Sequence, residues 1–136
     1  FWASEAKLDL HTARSPHGPF ERLLFNLDLK AQIHKLPLVA SVSVYRLGDI
    51  LIDTGSAHVN DALVRALQEN PPNKIVLTHQ HEDHVGGVIA LRHAFGDIPV
   101  YAPRKHIDII QSTEHVPHHR EFYWGHPKAP KNLIAS

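Results

Sequence analysis

The chain has 136 residues, 43% of them apolar and 21% charged, with 14 basic and 14 acidic side chains and a formal net charge of zero. That is enough apolar material for one domain with a core, while the charge balance argues against a nucleic-acid partner or an anionic membrane surface. There is no cysteine, so disulfides and thiolate metal sites are excluded, and no apolar run approaches the roughly 18 residues of a membrane span.

No signal peptide is visible, and the expectation is a soluble protein with the cytoplasm slightly favoured. The chain begins at Phe1 and contains no methionine, so it is expected to be a processed chain or a piece of a longer one.

In chain order, residues 1–20 carry little pattern, and "SPHGP" (15–19) reads as a turn or loop. "RLLFNLDLKAQI" (22–33) alternates apolar and polar residues and predicts a strand. "LVASVSVYRL" (38–47) predicts a second, with Val42, Val44 and, more loosely, Leu47 on one face. Gly48-Asp49 is a tight turn, and "ILIDTG" (50–55) a short apolar strand ending at Asp53. "HVNDALVRALQEN" (58–70) has helical spacing at Val59, Ala62, Leu63, Ala66 and Leu67, and "NPPN" stops it. "KIVLT" (74–78) is a buried strand and "VGGVIALRHAFG" (85–96) a helix. "IPVYA" (98–102) is another strand, and "PRKHIDIIQS" (103–112) a helix opened by proline. The tail, 113–136, is proline- and histidine-rich without a period. A β-meander followed by β–α–β–α–β–α predicts a layered α/β domain.

The unusual number is 13 histidines. Most scattered ones (His11, His17, His34, His58, His93, His106) read as surface or ordinary core positions. "THQHEDHVGG" (78–87) is different, with three histidines and two acids packed into seven positions. Imidazole and carboxylate donors suit zinc and, with less preference, iron or manganese. His79 and His81 can face the same way as the chain leaves a strand, because alternate residues point alike. Four ligands within six residues do not easily close around one ion. Two ions, one on His79 and His81 and one on Asp83 and His84, are therefore favoured. Gly86-Gly87 would let the backbone turn sharply and start a helix beside the site, with its free N–H groups favouring nearby negative charge.

His79-Gln80-His81-Glu82-Asp83-His84 followed by Gly-Gly, after a short apolar strand, resembles the metallo-β-lactamase superfamily of metal-dependent hydrolases. "VYRLGDILIDTG" is similar to that family's hairpin, and together the two motifs carry the likeness over roughly 38–102. The resemblance implies an αβ/βα sandwich of which this chain is the N-terminal half, an incomplete single domain over 1–136. It implies that His79 and His81 hold one zinc, that Asp83 and His84 hold a second, and that Asp53 supports the loop from behind. It further implies a metal-activated hydroxide attacking an ester, thioester, lactam or phosphodiester, with Asp83 also able to handle a proton. Glu82 and the Gly-Gly pair look closer to the glyoxalase II-like branch than to nucleic-acid-processing members.

The family's second half supplies further histidine and aspartate ligands that do not stand out here. His126, in "WGHP", is the candidate for one of them, ahead of His115, His118 and His119. Trp124 and Pro127 depart from the family pattern around it, and the plainer reading is a His-rich surface loop. Tyr123 and Trp124 read as packing residues. The expected function is thus a di-zinc hydrolase of a small-molecule substrate; the alternative is a metal-binding or structural half-domain without catalysis. A half-sandwich exposes a sheet face, so homo-oligomerisation or association with the missing half is expected.

Overall fold

A computed structural model describes residues 3–8, 15–17, 20–33, 36–112 and 129–136. His126, His115, His118, His119, Tyr123 and Trp124 lie outside the described residues.

Among the described residues, eight strands form one mixed sheet. They are β1 (Ala3–Leu8), β2 (Ser15–His17), β3 (Phe20–Ile33), β4 (Leu36–Leu47), β5 (Ile50–Ile52), β6 (Lys74–Val76), β7 (Val100–Ala102) and β8 (Leu133–Ala135). The order is β1-β3-β4-β5-β6-β7-β8, with β2 paired to β3. From β1 to β5 neighbours are antiparallel, and from β5 to β8 they are parallel. Parallel neighbours need crossovers. A 3₁₀ turn (Ala57–Val59) and α1 (Asn60–Leu67) make the first; α2 (Glu82–Val85) and α3 (Val88–Phe95) make the second. α4 (Arg104–Gln111) follows β7.

The strand periods explain the core. Leu23 and Phe25 on β3, Val42 and Val44 on β4, Leu51, Ile75 and Val100 all point to one face. Helical spacing brings Leu63 and Leu67 of α1, Val88 and Leu91 of α3 and Ile110 of α4 onto the same cluster. Each such large side chain, fully buried, contributes about 1.5–3 kcal/mol.

Several expectations are corrected. The N-terminal stretch is not patternless: β1 and β2 both pair with β3, and Ser15–His17 belongs to a ladder with Phe20–Arg22 rather than to a loop. The tail contains β8, parallel to β7. The third inward position of β4 is Arg46, not Leu47. Arg46 is buried, and its guanidinium donates to the carbonyls of Gly48 (2.8 Å) and Asn70 (2.5 Å), tying the β4–β5 turn to the chain after α1. The helix expected over 85–96 is α3, which starts three residues later at Val88, and a separate short helix, α2, ends at Val85 before Gly86-Gly87.

The opposite sheet face carries a continuous row. Tyr45 pairs with Ile52, Ile52 with Val76, Val76 with Tyr101, and Tyr101 with Ile134. The first four are half-buried, and Ile134 is 43% exposed. Parallel strands are ordinarily covered on both faces.

Candidate metal centre

The site forms where β5 and β6 end, at the carboxyl edge of the parallel strands, where open α/β sheets place their ligands. β5 stops because Asp53 adopts a left-handed backbone (φ 62°), followed two residues later by Gly55 (φ 69°). The Asp53 N–H still reaches the Val76 carbonyl (2.9 Å), so Asp53 lies alongside the end of β6.

Its carboxylate is buried, with the residue 5% exposed, and it is fully engaged. Oδ1 accepts the Thr78 backbone N–H at 2.8 Å. Oδ2 lies 2.8 Å from the Thr78 hydroxyl and 2.8 Å from His84 Nδ1. Asp53 therefore joins the first residue of the histidine loop to the last histidine in it. On the other side of the His84 ring, Nε2 is 3.4 Å from Asp83 Oδ2.

Thr54 fastens the same loop through the backbone. Its N–H and its hydroxyl both donate to the His84 carbonyl (2.7 and 2.8 Å), and its hydroxyl accepts the Gly87 N–H (3.0 Å). The Gly86 N–H donates to the Gly55 carbonyl (3.0 Å). The segment Asp53-Thr54-Gly55 is thus a bed on which residues 84–87 lie. This revises the role expected for the two glycines. Both have ordinary right-handed backbone, with φ −65° at Gly86 and −100° at Gly87, so no special turn requires them. Gly87 is needed because a Cβ there would stand 2.4 Å from the Thr54 carbonyl oxygen. Nor are their N–H groups open to an anion, since Thr54 and Gly55 occupy them.

The loop brings the sequence-predicted residues together. The His79 ring centroid is 4.7 Å from that of His81 and 4.0 Å from that of His84. Burial and the neighbouring His84 and His81 hold the His79 pKa below its usual 6.5. Burial of His84 also works against its proton, but the hydrogen bonds and charges of Asp53 and Asp83 outweigh it, and its pKa is pushed up to about 9. Among the described residues no group of three or more His or acidic side chains could by itself hold an ion. The donor chemistry still fits one: imidazoles anchored from behind, with a carboxylate beside them, are what zinc and iron sites use. The loop contributes pairs of donors rather than a closed cage. Thr54 and Thr78 were not singled out from the sequence. The local signal for them is their place within the two motifs, Thr54 in "ILIDTG" and Thr78 at the head of "THQHEDHVGG".

The sequence profile of the metallo-beta-lactamase superfamily matches residues 38–132. The chain belongs to that superfamily. A hydroxyacylglutathione hydrolase of Yersinia pestis (strain Pestoides F) is 49% identical over 57 residues, 41% of this chain and 22% of that protein. The "probable metallo-hydrolase" YybB of Bacillus subtilis (strain 168) is 35% identical over 100 residues, 71% of this chain and 43% of YybB. The chain thus spans less than half the length of either relative. Among solved structures, a flavo di-iron protein of Thermotoga maritima matches 97% of this chain and 33% of its own, with TM-score 0.59 and 16% identity. A B3 metallo-beta-lactamase with an active-site glutamic acid matches 93% and 48%, with TM-score 0.53 and 21% identity. These two likenesses support the superfamily's α/β fold. The superfamily is one of metal-dependent hydrolases. No described helix is long and apolar enough to cross a membrane.

Proposed function

We propose that this chain carries the metal-binding half of a di-zinc hydrolase acting on an ester, thioester or lactam, with a hydroxyacyl thioester favoured. The observation that carries this reading is the grip of buried Asp53 on both ends of the histidine loop. Such a carboxylate behind a histidine orients the ring and raises its basicity as a ligand. His79 and His81 would hold one ion, and Asp83 and His84 the second. When bound, such ions lower the pKa of water and polarise a carbonyl. The chain's own residues do the rest. Asp53 keeps the His84 ring in one orientation, Thr54 keeps the loop at one height above the sheet, and Asp83 serves as proton acceptor for the attacking water. The thioester preference rests on the likeness to the Yersinia hydrolase.

A second reading has its own support, because the chain spans only 22% and 43% of the two relatives. It is a metal-binding half-domain that needs other residues for catalysis. In both readings the row from Tyr45 to Ile134 would associate with a second copy or with the other half of a sandwich, and light scattering would find no monodisperse monomer.

The experiment is elemental analysis of purified protein together with thioester hydrolysis, on wild type and on His81→Ala and Asp83→Ala. Two zinc ions and hydrolysis, both lost in the variants, are expected. Hydrolysis surviving both substitutions would refute the metal-hydrolase reading. Zinc bound without turnover would favour the half-domain.

A further inference from the structure

A histidine that ligates a metal must keep one ring nitrogen free of hydrogen, and which one is set by what the other nitrogen bonds. For His84 the partner is Asp53 itself. For His79 it is the Thr78 hydroxyl, 2.8 Å from Nδ1. That hydroxyl is also 2.8 Å from Asp53 Oδ2.

We infer that Thr78 is a positioning residue that sets the tautomer of His79, by relaying the Asp53 carboxylate to Nδ1 and leaving Nε2 as the unprotonated donor. The argument is one of counting hydrogens. A threonine hydroxyl has one hydrogen and two acceptor sites, and a carboxylate has only acceptors. If the hydroxyl pointed its hydrogen at His79, two oxygens would face each other at 2.8 Å with no hydrogen between them. If it donates to Oδ2, the Nδ1 contact is satisfied only by a hydrogen on Nδ1. One assignment fills both contacts. The Thr78 backbone supports it, because its N–H occupies Oδ1 of the same carboxylate and the hydroxyl then falls on Oδ2. The carboxylate's burial strengthens the chain of bonds. Neutral histidine free in water favours the opposite tautomer, so the relay has to act against an intrinsic preference.

The inference rests on the proposed function only in calling Nε2 a metal donor, and its test separates the two. Long-range ¹⁵N–¹H spectra of the imidazoles would be recorded on metal-free wild type, Thr78→Val and Thr78→Ser. Thr78 is exposed, and valine keeps its shape and its backbone N–H to Asp53 Oδ1; the urea midpoint of each variant is measured beside the spectra to establish that it is folded. Wild type is expected to show hydrogen on His79 Nδ1, Thr78→Val on Nε2, and Thr78→Ser the wild-type form. Zinc competition against a chromogenic chelator should show Thr78→Val weakened about 10- to 100-fold and Thr78→Ser restored. Hydrogen on Nε2 in wild type, or an unchanged tautomer in Thr78→Val, would overturn the inference. A wild type that binds no zinc but shows the expected tautomers would instead count against the metal-hydrolase reading alone.

Discussion

Alanine at Gly87 should loosen both the fold and the metal loop. The backbone there (φ −100°, ψ −4°) is open to any residue. Taken alone, the change would stabilise by about 0.4–1 kcal/mol through the unfolded chain. The added Cβ, however, would sit 2.4 Å from the Thr54 carbonyl oxygen, 3.1 Å from Thr54 Cβ and 3.3 Å from Leu63 Cδ2. The first contact is with backbone, and Thr54 cannot retreat cheaply, since its N–H and hydroxyl are held by the His84 carbonyl. Overpacking of this kind costs about 1–3 kcal/mol. Set against the gain through the unfolded chain, the middle of those ranges leaves an expected net loss of roughly 1.3 kcal/mol. Urea unfolding would show a lower midpoint at unchanged slope, and zinc affinity would fall, because residues 84–87 must lift off their bed. Gly48→Ala is the control. Its φ of +57° brings about 1–2 kcal/mol of left-handed strain with nothing within 4 Å of the new Cβ, so stability should fall and zinc affinity should not. A Gly87→Ala protein as stable as wild type, or equal zinc loss in both variants, would refute the steric account.

Thr54→Val removes a buried hydroxyl and strands the Gly87 N–H, and a loss of about 1–3 kcal/mol is expected in the same unfolding assay. Asp53→Asn places an amide where Thr78 and His84 both present hydrogens; zinc affinity should drop about 10- to 100-fold, measured by chelator competition. The His84 pKa is raised from 6.5 to about 9 in the folded, metal-free protein. Its contribution to stability is therefore fully present below about 6.5 and is lost as pH rises through about 9, and Asp53→Asn should flatten that dependence in urea unfolding. The same proton occupies Nε2 against a metal, so zinc uptake below about pH 9 should release it, detectable as a proton signal in weakly buffered calorimetry.

The histidine loop was legible because its histidines and acids are contiguous in the sequence, and the structure brings the rings of His79, His81 and His84 together. The strands from 22 to 52 were legible because each is long or bounded by a clear turn. β1 was not, because what makes it a strand is its pairing with the distant half of β3, and β2 was not, because three residues are too few to show a period even though its β3 partners follow almost at once. β8 is three residues long, too short to show alternation. Arg46 keeps the 42-44-46 period of β4, but its charge argues for the surface, and the carbonyls of Gly48 and Asn70 that receive its guanidinium could not be read from the sequence. Thr54 and Thr78 were invisible for the same reason. A threonine within a motif is unremarkable until its partner, 30 or 25 positions away, is known. The helix expected over 85–96 begins only at Val88, because Gly87 caps it with its N–H bonded to the Thr54 hydroxyl.

Asp53 is the point where fold and site compete. A left-handed non-glycine residue costs about 1–2 kcal/mol, somewhat less for aspartate than for most. A glycine there would remove that strain and end β5 equally well. What it would remove as well is the acceptor of three hydrogen bonds from Thr78 and His84. Each is made to a charged group and is worth about 1.5–3 kcal/mol. The strain is thus more than offset, but only by bonds that orient the histidine loop. Gly55, the next left-handed residue, needs no such account, since a Cβ there would meet Val59 at 2.6 Å. The two positions have different causes. One is sterically required by the core, and the other is held in place by the loop it serves. Loosening Gly55 should therefore act on the whole domain, whereas loosening Asp53 should act first on the histidines.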